Sequence, residues 1–71
     1  MEKDIFVGGR KLGVLEGSRM VYATREDLQD FFNIHDEDQV VVGEEKTDCY
    51  KLRSRIKTYT EEQTVENEGE G

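Results

Sequence analysis

Residues 16–34, EGSRMVYATREDLQDFFNI, leave this chain little choice of local structure. Arg19 to Ala23 is an extended run containing Met20, Val21 and Tyr22, entered through the turn-like Glu16-Gly17-Ser18. Thr24 follows, with an acid, Asp27, three residues on. A threonine oxygen there accepts from a free helix N–H, and Glu26 and Asp27 suit the positive end of a helix. Leu28, Phe31 and Phe32 fall at i, i+3 and i+4, which gives that helix one apolar face. Asn33 stands where a left-handed C-terminal cap is wanted. A helix of about two turns is unstable alone, so its phenylalanines must be packed against something else.

What they pack against is limited by size. A chain of 71 residues makes one domain at most and buries only about 60% of its unfolded surface. One cysteine permits no internal disulfide, and one cysteine with one histidine cannot supply a four-ligand structural metal site. Oligomerisation is the remaining remedy, so a homo-oligomer is expected.

Outside the helix the pattern reads as strands. Ile5 to Val7 is a short apolar run before Gly8-Gly9, and residues 10–15, RKLGVL, form a strand that pairs with Arg19 to Ala23 as a hairpin. His35-Asp36-Glu37-Asp38 is a polar turn, Val40-Val41-Val42 a buried strand, and residues 43–48 another turn. Residues 49–59, CYKLRSRIKTY, alternate: Tyr50, Leu52, Ser54, Ile56 and Thr58 share one face, Lys51, Arg53, Arg55 and Lys57 the other. The tail 60–71 has Val65 as its only apolar residue and is expected to be disordered. The reading is therefore mostly β with one short helix, a β-hairpin–short helix–β-hairpin over residues 1–59, followed by a disordered acidic tail at 60–71.

The net charge of −7 is unevenly distributed. Residues 1–25 carry +2, residues 26–60 carry −4, and residues 61–71 carry −5. Local charge decides what a surface attracts, so the acidic total does not exclude nucleic acid. The charged start MEKDIF does not read as a secretory leader, no stretch approaches a membrane span, and one free thiol fits a reducing cytoplasm.

Several chemistries lack their residues. Asp36-Glu37-Asp38 has neither the glycine nor the distant glutamate of a calcium loop. His35 has no nucleophile or second base beside it in sequence. Cys49 is read as a small half-buried residue, and the glycines at 8, 9, 13 and 17 lack the lysine and hydroxyl that complete a phosphate loop. No catalytic residue, metal or cofactor is expected.

Glu16-Gly17-Ser18-Arg19, Met20-Val21-Tyr22, Leu28, Asn33-Ile34 and Asp36-Glu37-Asp38-Gln39-Val40, taken at their joint spacing, resemble the AbrB/SpoVT/MazE swapped-hairpin family over about residues 8–56. Three departures stand in the pattern. Ala23 replaces the usual proline, two extra residues precede the helix, and Gln29 and Asp30 occupy positions often held by paired arginines in DNA-binding members. The resemblance implies an interleaved barrel made by two copies, with Leu28, Phe31, Phe32, Ile34, Val40, Val42, Leu52 and Ile56 in a shared core. It also implies a homodimeric DNA-binding transcriptional regulator that occupies duplex DNA with its N-terminal hairpin surface. Arg19 matches the family's position for a DNA contact; Arg10, Lys11 and Arg25 would support it.

Lys51, Arg53, Arg55 and Lys57 would be secondary phosphate contacts along a strand. The alternatives are an acidic protein-interaction module of the same fold that has lost DNA binding, or an antitoxin whose C-terminal extension grips a toxin. One valine in the tail is a poor anchor for the latter.

Overall fold

The computed structural model describes residues 2–62. Six strands and two helices follow in the order β1 (Glu2–Val7), β2 (Arg10–Glu16), β3 (Arg19–Tyr22), α1 (Arg25–Phe32), β4 (Gln39–Val42), β5 (Glu45–Asp48), α2 (Cys49–Arg55) and β6 (Thr58–Glu61). The strands form one mixed sheet in the order β5-β4-β1-β2-β3-β6. All neighbouring pairs are antiparallel except β3 with β6.

The hairpin of β2 and β3 lies where the sequence places it, paired Val14 to Val21, Leu15 to Met20 and Glu16 to Arg19. A second hairpin precedes it. Gly8 and Gly9 have φ of 61° and 82°, the left-handed values a tight two-residue loop requires, and they turn β1 back onto β2. The register between those strands shifts between Ile5 and Phe6, a β-bulge that leaves Leu12 unpaired and buried.

The expected N-cap of α1 is present: the Asp27 N–H donates to Thr24 Oγ1 at 3.1 Å. Its C-terminal end differs from expectation. Asn33 has φ −89° and ψ −2°, so the chain leaves α1 in right-handed geometry, and the Asn33 N–H returns to the carbonyls of Gln29 and Asp30.

Beyond residue 42 the reading needs correction. Residues 45–48 are a strand, β5, paired with β4, and not part of a turn. Residues 49–55 are a second helix and not a strand. Asp48 caps it, accepting from the Lys51 N–H at 2.7 Å. The Cys49 and Tyr50 N–H groups, free at the start of a helix, donate to the carbonyls of Asp38 and Asp36. The last strand then runs to Glu61, so Thr60 and Glu61, assigned to the tail, belong to the sheet. The rest of that expected disordered tail, residues 63–71, lies outside the described residues.

The core comprises Ile5, Leu12, Leu15, Met20, Phe31, Val40, Val42, Cys49, Leu52 and Ile56, all buried within one chain. Direct cross-strand partners share a face, so Lys3, Leu15, Met20 and Tyr59 line up beneath the helices. Five of the eight expected core residues are buried: Phe31, Val40, Val42, Leu52 and Ile56. Leu28 and Ile34 are only half-buried, and Phe32 is 50% exposed. Consecutive Phe31 and Phe32 point about 100° apart on a helix, so a short α1 buries one of them. Gly13 lies where backbone approaches closely: a Cβ there would meet the Val21 carbonyl oxygen at 2.7 Å.

Candidate functional site

The candidate basic residues of the N-terminal hairpin fall on two sides of the sheet. Arg10 pairs opposite Val7, on the helix side, and reaches α1. Its guanidinium donates to Asp27 and to Asp30 at 2.6 Å each. Asp27 and Asp30 are three apart, so one turn of α1 presents both carboxylates to the same fork. The hydrogen bond Arg10 donates to Asp27, with that to Asp30, holds its proton more firmly than usual.

Lys11 and Arg19 lie on the opposite, helix-free face, where Phe6, Val14, Val21 and Val41 are half-buried. Each carries an acid from its own sheet. Lys11 Nζ is 3.4 Å from Asp4, and Arg19 donates to Glu16 Oε1 at 2.5 Å. Arg19 first, and Glu2 second, pull the Glu16 carboxyl below its usual range. Arg25 opens α1 and is exposed, with no ion pair among the described residues.

The four C-terminal candidates do not form a row. Because residues 49–55 are helical, Lys51, Arg53 and Arg55 turn about 200° from one to the next, and Lys57 lies beyond α2. Arg53 is turned inward. It donates to the carbonyls of Phe31 and Ile34 at 2.8 Å each and to Asp36 at 3.1 Å, and its guanidinium carbon sits 5.4 Å from the centre of the Phe31 ring. Its Nε is buried with no partner among the described residues. The residue expected to touch phosphate thus closes the C-terminal end of α1. Arg55 faces Glu45 at 3.7 Å, while Lys51 and Lys57 are exposed and unpaired among the described residues.

Cys49 is fully buried, and desolvation pushes its thiol up, away from the reactive thiolate. Among the described residues no group of three His, Cys, Asp or Glu side chains is placed to hold a metal. No described helix is long and apolar enough to cross a membrane.

One feature was missed in the sequence: an aromatic cluster beside β6. Tyr59 lies 5.1 Å from Phe32 and 6.3 Å from Phe31, ring centre to ring centre. The sequence places Phe32 in the core and Tyr59 in an alternating strand, and no periodicity within either segment links them. No family model matches the chain, and neither a curated protein nor a solved structure is significantly similar to it.

Proposed function

We propose that this chain is a non-catalytic, acidic protein-interaction module whose partner offers a basic surface. The observation that carries this reading is the fate of the candidate DNA-contacting cations. Five of the eight, Arg10, Lys11, Arg19, Arg53 and Arg55, are occupied by carboxylates of their own chain. All ten bases but only fourteen of the seventeen acids lie in residues 2–62, so the acids remain in surplus even without the tail. Glu37, Glu45 and Asp48 line one groove, with Lys46 and Lys51 as its bases among the described residues. Burial of Cys49 supports the absence of catalysis.

DNA binding is the second reading. It is favoured by Lys11 and Arg19 sharing the helix-free face, with Arg25, Lys51 and Lys57 unpaired among the described residues. Exposed ion pairs are worth about 0–1 kcal/mol, so phosphate can displace them at little cost. The interleaved homodimer implied by the resemblance belongs to this second reading. The antitoxin reading turns on residues 63–71, outside the described ones.

An amide NMR titration with mixed-sequence duplex DNA, at low and at moderate salt, separates the readings. The interaction-module reading expects no shifts at low salt, and shifts around residues 37–48 with an arginine-rich peptide. Shifts with DNA over residues 8–25, weakening by roughly one power of salt per phosphate contacted, would overturn it in favour of a DNA regulator.

A further inference from the structure

The two edges of the sheet are unequal. At one edge, β5 reads EKTD, and its Glu45 is held by Arg55 of α2. Charged side chains of this kind discourage pairing with a further strand. At the other edge, β6 reads TYTE and pairs only with β3 among the described residues.

The Lys57 and Thr58 N–H groups both donate to the Ser18 carbonyl, at 2.7 and 3.3 Å, and the Glu62 N–H donates to the Tyr22 carbonyl. Residues of a strand alternate in the direction of their backbone groups. Thr58, Thr60 and Glu62 therefore face β3, and Tyr59 and Glu61 present N–H and C=O outward. Beside these groups stand the Tyr59 ring and Phe32, which is 50% exposed.

We propose that this edge binds a second copy of the chain. The two β6 strands pair antiparallel about a two-fold axis at Tyr59, so that one sheet runs through both copies. Complementarity along the edge selects a second copy as the occupant. Lys57 directly precedes β6 with its N–H turned to Ser18, so centring the axis on Tyr59 pairs the outward backbone groups of Tyr59 and Glu61 and sets the Glu61 carboxylate beside the second copy's Lys57 ammonium, twice over. Neither side chain has an ionic partner among the described residues. Thr58 then faces the second copy's Thr60, a favourable cross-strand pair.

Centring on Thr60 instead would set Glu61 against Tyr59 and lose both charge pairs. On the helix side the same axis brings the two Phe32–Tyr59 pairs together and covers the exposed ring. Since the charged β5 edge discourages a further strand among the described residues, association stops at two copies. The inference is independent of what larger partner the chain binds.

Charge reversal tests it. The wild-type chain should show a concentration-dependent monomer–dimer equilibrium by sedimentation, and Glu61→Lys or Lys57→Glu should each shift that equilibrium at least tenfold toward monomer. An equimolar mixture of the two variants should restore the dimer, because each cation then meets a carboxylate. Amide NMR spectra of the variants establish that they remain folded. A wild-type chain that stays monomeric up to millimolar concentration overturns the proposal. So does a dimer that neither substitution weakens, as an interleaved barrel would be, or a mixture that fails to re-associate.

Discussion

Arg53 donates two hydrogen bonds from a single nitrogen, to the carbonyl oxygens of Phe31 and Ile34, both at 2.8 Å. Those carbonyls end α1, where backbone acceptors lack partners within the helix. The positive charge also suits the negative end of the helix and the face of the Phe31 ring below it. A residue of α2 therefore completes α1.

Arg53→Ala should accordingly cost about 2–3 kcal/mol, from hydrogen bonds to a charged donor together with the lost ring contact. Arg53→Lys keeps the charge but lacks the planar, multiply donating head, and should recover less than half of that loss. Urea unfolding midpoints read both. A loss below about 0.5 kcal/mol for Arg53→Ala would mean that α1 does not depend on α2.

Gly13 should tolerate no side chain. Its Cβ would fall 2.7 Å from the Val21 carbonyl oxygen and 2.9 Å from Met20 Cε. The methionine tip can move, but the carbonyl belongs to the β2–β3 ladder. Gly13→Ala should therefore destabilise the chain by about 1–3 kcal/mol, in the range of overpacking. Chemical denaturation checks this, and a neutral result would place β3 farther from β2 than the register requires.

The caps make parallel predictions for the two helices. Thr24→Ala and Asp48→Ala should each cost about 1 kcal/mol, and Asp48→Asn should be nearly neutral because it keeps an oxygen acceptor. Hydrogen exchange should quicken at the Lys51 amide in Asp48→Ala and at the Asp27 amide in Thr24→Ala. Loss of protection spread evenly over the whole sheet would contradict a local cap.

Glu16 gives an acid-side pH dependence. The hydrogen bonds from Arg19 and with Glu2 depress its carboxyl in the folded state. A depressed folded pKa contributes stability that is fully present above the ordinary glutamate range, near about 4.3, and is lost as pH falls through the folded value. Glu16→Gln should therefore flatten part of the decline in stability below that range and leave the neutral-pH slope unchanged. Thermal unfolding at a series of pH values measures it, and an unchanged acid limb would remove Glu16 from the account.

The legible parts of the fold are those in which neighbours in sequence make the decisive contact. Thr24 and Asp27 bond across three residues, so the start of α1 is visible in the chain itself. The Glu16-Gly17-Ser18 turn and the valine run of β4 are equally local. The candidate cations were identifiable as residues, but not in their roles. Arg10 finds its acids 17 and 20 residues away, and Arg53 finds its carbonyls 19 and 22 residues away. No pattern within a single element encodes such pairings.

Residues 49–56 show where sequence stops deciding. Tyr50, Leu52, Ser54 and Ile56 fit a strand of period two. Cys49, Leu52 and Ile56 fit a helix equally well, at i, i+3 and i+7. Seven residues are too few for propensity to break the tie. The choice follows from the Asp36–Asp38 loop, whose carbonyls accept the first N–H groups of α2, and from the gap over Val40 and Val42 that Cys49 and Leu52 fill. By itself the sequence determined the β2–β3 hairpin, the capped start of α1 and an acidic surplus, because propensity, turn chemistry and charge act over a few residues. Only the tertiary structure decided α2, the pairing of β3 with β6 and the carboxylates that meet Arg10, Arg53 and Arg55, because those depend on groups that meet only after the chain has closed its core.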